Sequence, residues 1–153
     1  MPTLRQATAD DAPTIAEHRH KMFADNKFAT EAHLATMDAT FEPWVRERLA
    51  DGRYIGLFLE ENGHILAGAG IHFQDFAPHW RDIEPERAYL LNVYTASEAR
   101  GHGYANRLMR SAIQICRDRG IGVVSLHASP QGRPIYEKMG FQQSDEMLLQ
   151  LEP

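Results

Sequence analysis

Residues 88–120 read AYLLNVYTASEARGHGYANRLMRSAIQICRDRG, and the pattern changes character twice within them. Tyr89-Leu90-Leu91-Asn92-Val93-Tyr94-Thr95 is nearly all apolar or β-favouring, the kind of short run that forms a strand covered on both faces. Arg100-Gly101-His102-Gly103-Tyr104-Ala105 is a glycine turn. After it, Ala105, Leu108, Met109, Ala112, Ile113 and Cys116 recur at helical spacing and make one apolar stripe, with Arg107, Arg110, Gln114 and Arg117 on another face. Gly120 is placed to stop this helix in a left-handed turn, with Arg117 and Arg119 near the negative end of its dipole.

The glycine turn has two readings. Gly101 and Gly103 remove side chains where the backbone enters a helix. The first N–H groups of a helix lack internal partners and sit at the positive end of its dipole, so such a loop can wrap a phosphate or pyrophosphate with main-chain donors. Arg100 adds a charge beside it. The turn by itself is equally compatible with an ordinary strand-to-helix connection. Two familiar phosphate loops are excluded. A Rossmann turn needs a third glycine where Asn106 stands and an acid roughly 20 residues on, and Val123 to Leu126 holds none. A P-loop needs Gly-Lys-Ser/Thr, which is absent.

The 153 residues suit one domain, expected over 1–153, with a core of its own. Hydrophobic content of 43% and charged content of 24% are those of an ordinary soluble globular chain. No stretch approaches the roughly 18 apolar residues of a membrane span. The N-terminus carries no apolar signal region, so a cytoplasmic location is expected. Cys116 is the only cysteine, which leaves no internal disulfide or zinc cluster, and its place on the apolar stripe favours a buried thiol. No His/Asp/Glu spacing suggests a metal site. The net charge of −5 and the lack of a basic block argue against nucleic acid as a partner and suit a cationic substrate.

In chain order, Thr3 to Ala7 is a first strand. Thr8 to Pro13 opens a helix running to about Phe23. A second helical region spans Glu31 to Ala50, with a break expected at Pro43. Asn62-Gly63 between two apolar runs, Tyr54–Leu59 and His64–Ile71, signals a hairpin. Gly68 and Gly70 share a strand face, for a bulky neighbour or for tight helix packing. Gln74 to Arg87 reads as a long loop, either part of an acceptor pocket or a surface loop tucked in by Trp80. Val123 to Ala128 is a strand parallel to Tyr89–Thr95, because a helix crosses between them. A short helix from about Gly132 to Met139 stops at Gly140, with Phe141 closing on Tyr136, and Glu146 to Leu151 is a final strand.

Two motifs carry a family resemblance. Arg100-x-x-Gly103-x-Ala105 directly after an apolar strand is similar to the acyl-CoA pyrophosphate loop of the GNAT superfamily of N-acetyltransferases. Ile135-Tyr136-Glu137-Lys138-Met139-Gly140-Phe141 resembles the Tyr-x-x-x-Gly-Phe segment that often closes these enzymes. The order of elements agrees along nearly the whole chain. The resemblance implies an α/β (α+β) fold with a mixed central sheet, in which two parallel strands, here Tyr89–Thr95 and Gly122–Ala128, splay apart around the pantetheine arm of acetyl-CoA. It implies that the backbone of Val93, Tyr94 and Thr95 binds that arm and that the amides of Arg100, Gly101, His102, Gly103, Tyr104 and Ala105 hold the pyrophosphate. Tyr136 takes the place of the general acid that assists thiolate departure. Ser129 stands near the family's asparagine, and the connection after it looks shorter. Some members place a glutamate base on the central strand; here Tyr89 stands there, and the strand holds no carboxylate. His127 is the first candidate for the base and His72 the second, imidazole having a suitable titration range.

The expected activity is direct transfer of an acetyl group from acetyl-CoA to a primary amine on a small molecule or peptide. Transfer of another acyl group, transfer to a hydroxyl, and a non-catalytic acyl-CoA-binding regulatory module are the alternatives. A homodimer is compatible with the sequence. The acceptor cannot be read from it.

Overall fold

The computed structural model describes residues 1–152. In chain order it forms β1 (Thr3–Gln6), α1 (Ala12–Asp25), α2 (Glu31–Asp51), β2 (Tyr54–Glu61), β3 (His64–Asp75), β4 (Glu86–Thr95), α3 (Tyr104–Asp118), β5 (Val124–Leu126) and α4 (Arg133–Lys138). The strands make one mixed sheet in the order β1-β2-β3-β4-β5. Neighbours are antiparallel except β4 and β5, which the α3 crossover makes parallel. The Asn62-Gly63 pair turns the β2–β3 hairpin, Glu61 pairing with His64 across it.

Each face of the sheet carries its own core. The apolar stripe of α3 puts Leu108, Met109, Ala112 and Cys116 out of solvent against Leu57, Ala69, Ile71 and Leu90. Burying side chains of the size of Leu108 and Met109 contributes roughly 1.5–3 kcal/mol each. On the opposite face Ile15 and Ala16 of α1 and Phe41 and Val45 of α2 cover Tyr54 and Phe58 of β2. Gly120 and Gly140 stop α3 and α4 as expected. In each, the residue after the glycine donates back into the helix, Ile121 N to Cys116 O (2.9 Å) and Phe141 N to Tyr136 O (3.1 Å). The rings of Tyr136 and Phe141 meet at 6.0 Å.

Several expectations are corrected. The second helix is unbroken through Pro43, because Phe41 and Val45 on either side are held in the core and outweigh one lost backbone hydrogen bond. The first helix continues to Asp25. Gly68 and Gly70 divide between the two readings: a Cβ at Gly68 would lie 2.9 Å from His18 Nδ1 on α1, and one at Gly70 would meet the bulky Tyr54 side chain of β2. Trp80 does not tuck its loop in; its side chain is 80% exposed. The parallel strand shrinks from Val123–Ala128 to Val124–Leu126. Glu146–Leu151 forms no strand: the segment pairs with no other, and Met147, Leu148, Leu149 and Leu151 lie in solvent. Its apolar residues meet the local requirement for a strand, but a strand exists only where a partner supplies the ladder.

Candidate active site

The site begins at a flaw in β4. Between Gly68 and Gly70 on β3 the partners on β4 jump from Tyr94 to Leu91, so β4 carries an extra residue there. Asn92 takes the left-handed conformation (φ 57°), which asparagine tolerates better than most residues. The bulge reverses the phase of the strand. Before it, Ala88 and Leu90 face the α3 core while Tyr89 and Leu91 face α1 and α2. After it, Val93 packs on the α3 side, and Asn92 and Tyr94 meet Arg19 and His18 of α1. Pairing with β5 ends at Leu90 and Leu126. Among the described residues, β4 pairs with no strand on that side from Leu91 onward, so the two parallel strands part at the bulge. The polar groups of Val93, Tyr94 and Thr95 lie on this stretch; the Thr95 carbonyl is taken by Arg100 Nε at 3.1 Å.

Directly beyond lies the glycine loop. Gly101 and Gly103 have φ of 85° and 75°, which a side chain would strain, and neither would bring a Cβ within 4 Å of a neighbour. Glycine here serves the backbone path and keeps the space above it open. Among the described residues, the N–H groups of residues 101–106 donate to no protein acceptor. They open the 15-residue helix α3 and form a cradle of unpaired donors at its positive end. His102 lies flat on Tyr104 (5.4 Å between centroids) with Nδ1 3.0 Å from the Ala99 carbonyl, so both side chains leave the amides uncovered. Arg100 departs from the expected role: its guanidinium pairs with Asp25 at 3.0 Å, a partly exposed ion pair that ties the loop to α1. Beside the loop, Asn106, Arg110, Gln114 and Arg117 of α3 and Lys138 of α4 line a groove of roughly 580 Å³.

The opposite face of β4 holds a second cleft of roughly 300 Å³, lined by Arg19, Phe41, Trp44, His72, Gln74, Tyr89 and Leu91. Burial pushes His72 below the usual imidazole value, and it meets Trp44 edge-on at 4.9 Å. At the lip, where β5 ends, the Tyr89 hydroxyl and His127 Nδ1 share a 2.6 Å hydrogen bond. Burial pushes the Tyr89 phenol up, so it holds its proton at neutral pH. Tyr89 on β4 and His127 just past β5 are therefore tied across the lip by one hydrogen bond.

Tyr136 is half-buried on α4 and packs on the same core as Val93 and Tyr104. Burial raises its phenol, so it too stays protonated. Ser129 turns inward to its own helix: Oγ accepts from Gly132 N at 3.1 Å and its carbonyl accepts from Arg133 N at 2.9 Å. Its hydroxyl organises the start of α4.

The sequence expectations name the loop, the split strand, Tyr136 and His127. They miss Arg19, Phe41, Trp44 and the bulge. Arg19 Nη1 donates to Asn92 Oδ1 (2.9 Å), and Asn92 Nδ2 donates to the Tyr54 hydroxyl (2.9 Å), whose pKa burial pushes up to about 12. The available signal was Asn92 itself, a polar residue inside an otherwise apolar run.

The acetyltransferase (GNAT) family profile matches residues 15–141. A Bacillus subtilis protein assigned as a ribosomal protein bS18-alanine N-acetyltransferase is 26% identical over 121 residues, 77% of this chain and 74% of its own. The crystal structure of a GCN5-related N-acetyltransferase from Ralstonia eutropha superposes with a TM-score of 0.95 at 34% identity, covering 99% of both chains. An acetyltransferase from Clostridium acetobutylicum, solved with acetyl-CoA, superposes with a TM-score of 0.90 at 29% identity, covering 99% of this chain and 96% of that one.

Proposed function

We propose that this chain, which belongs to the acetyltransferase (GNAT) family and is an N-acetyltransferase drawing on acetyl-CoA, moves the acetyl group directly to a primary amine bound in the cleft of Arg19, Trp44 and Tyr89. The observation that carries this reading is the break between β4 and β5. It joins the α3 face, with its unpaired amides, Val93 and Tyr136, to the opposite face with the second cleft. In this reading residues 1–153 act as one acetyltransferase domain.

The loop amides of residues 100–105 take the pyrophosphate, and the cationic groove of Arg110, Arg117 and Lys138 takes the nucleotide end. The backbone of Val93, Tyr94 and Thr95 holds the pantetheine arm. The acceptor amine must lose a proton, because an alkylammonium has no lone pair. His127, at the lip of the split and steadied by Tyr89, accepts it directly or through one water. The nitrogen attacks the thioester carbonyl, the carbon–nitrogen bond forms and the carbon–sulfur bond breaks. The Tyr136 hydroxyl supplies a hydrogen bond or proton to the leaving thiolate, and its raised pKa ensures that the proton is there to give.

The test is an amine screen with acetyl-CoA, read by thiol release. Tyr136→Phe should lower turnover about 100-fold with coenzyme A affinity nearly unchanged. An unchanged chemical step in that variant would remove Tyr136 from the mechanism. No thiol release with any amine, in a protein that binds coenzyme A, would favour a non-catalytic acyl-CoA-binding module. The exposed Met147, Leu148, Leu149 and Leu151 support a homodimer, and sedimentation showing only a 17.4 kDa species would end that part of the reading.

A further inference from the structure

Arg19 is held in an unusual way for a cation. Its guanidinium carbon lies 4.8 Å from the ring centre of Phe23 and 4.9 Å from that of Phe41. One nitrogen is satisfied by Asn92, a neutral amide. Nε is out of solvent and has no hydrogen-bond partner. Among the described residues, Arg19 makes no ion pair. Arg5, Arg53 and Arg119, in contrast, pair with Asp11, Asp51 and Glu86, and Arg87, whose Nε is likewise out of solvent and unpartnered, lies on the Phe76 ring (3.9 Å) and does not line this cleft. Burial pulls Arg19 below the usual arginine value, and the groups that oppose this are the phenols of Tyr54 and Tyr89, not carboxylates. A half-buried guanidinium with an unpaired donor is costly unless something of opposite charge completes it.

The surroundings say where that charge comes from. Arg19 lines the same cleft as Phe41, Trp44, Tyr89 and Leu91, and no Asp or Glu lines it. An acceptor with a bare cationic body would find no counter-charge there and would face Arg19. An acceptor whose amine stands near a carboxylate would complete the Arg19 pair and lay its side chain on the aromatic walls. Nη1 is held by Asn92 and Nε is out of solvent, so Nη2 is the guanidinium nitrogen left to give an incoming carboxylate a charge-assisted hydrogen bond.

Resting on the acetyltransferase reading above, we infer that the acceptor is an amine bearing a carboxylate, a free amino acid with an apolar or aromatic side chain, and that Arg19 binds that carboxylate. Arg19 is thus a specificity-determining residue for the acceptor.

Matched compounds test this. Phenylalanine, phenylalaninamide and phenethylamine share a ring and an amine, and only the first has a carboxylate; leucine and leucinamide form a second set. With acetyl-CoA and thiol detection, the carboxylates should exceed their neutral partners by at least about 30-fold in kcat/KM, the scale of one charge-assisted, partly desolvated pair. Arg19→Gln should collapse that ratio to near one, and Arg19→Lys should keep part of it. Circular dichroism checks that both variants fold. Acetylation of the amides and phenethylamine at the rate of the acids would overturn the inference and leave the acetyltransferase reading standing. A second readout does not require turnover. Trp44 fluorescence in the presence of coenzyme A should report N-acetylphenylalanine binding at least about 10-fold tighter than its amide, with the difference gone in Arg19→Gln. Equal affinities, or no binding of either, would also overturn it.

Discussion

The two faces of β4 are built on different principles. On the α3 side the loop is a main-chain feature, with unpaired amides of residues 101–106 and two glycines that keep the approach clear, and side chains enter beside it in the groove of Arg110, Arg117 and Lys138. On the α1/α2 side the site is made of side chains from α1, α2, β3 and β4, among them Arg19, Trp44, His72 and Tyr89. The difference teaches which substitutions each face tolerates. A backbone cradle is indifferent to side-chain identity as long as the path and space are preserved. A side-chain cleft changes its preference with every residue that lines it.

The largest expected effect tests the backbone side. Gly103→Glu strains a φ of 75° and sets a negative charge where phosphate would lie, and no protein atom within 4 Å of the new Cβ offers it a partner. Coenzyme A affinity should fall more than about 30-fold, or about 2 kcal/mol, by calorimetry. Equal affinity in wild type and variant would break the comparison at its root.

Next is the lip between the faces. His127→Gln should lower acetyl transfer about 10-fold or more and remove the rising limb of the pH–rate profile. Persistence of that limb would move the base to His72 or to a chain of waters.

His18 tests the packing on the α1 side of the sheet. It is 8% exposed, wedged between Phe58 and Tyr94, and burial holds its pKa at about 4 against 6.5 in the unfolded chain. Between these values the unfolded state binds the extra proton, so stability falls as pH drops through that window and is fully present above it. The loss is on the order of 3 kcal/mol by about pH 4. Urea midpoints at pH 7 and 4.5 should differ by much less in His18→Phe. A wild-type midpoint flat over this range would mean that His18 stays solvated. The carboxylate of Asp11, held down first by its hydrogen bond to Arg5 and further by backbone Thr8, adds stability that is fully present above the unfolded aspartate value and is lost as pH falls below it.

The smallest effect sharpens the comparison. His102→Ala removes a ring stacked on Tyr104 and leaves every loop amide in place. Coenzyme A affinity should change less than about 3-fold, under ~0.7 kcal/mol. A larger loss would show that the loop binds with side chains as well as main chain.

Legibility in the sequence follows the same division. The glycine loop could be read because Gly101, Gly103 and the α3 stripe are adjacent in sequence and obey local rules of dihedral freedom and period. Gly140, Tyr136 and Phe141 could be read for the same reason, the cap bringing them together within one turn. Arg19 and Trp44 could not. On their own helices they look like an ordinary polar residue and an ordinary apolar one, and their meeting across β4 depends on how α1 and α2 lie on the sheet. The final strand failed from the other direction: Glu146–Leu151 has the local pattern, but its fate depends on a partner that the segment itself does not encode.

The sequence by itself determined the order of elements, the parallel step from β4 to β5 and the anion-ready entry to α3, since each rests on contacts or torsions within a few residues or on one short crossover. Only the tertiary structure decided where β4 parts from β5, which side chains share the second cleft, that Tyr89 and His127 are bonded, and that Arg19 lacks an acid. These depend on a one-residue bulge that reverses the phase of a strand. The energy of that bulge is set by α1, Tyr54 and β3 packing around Asn92 rather than by the residues beside it in the chain.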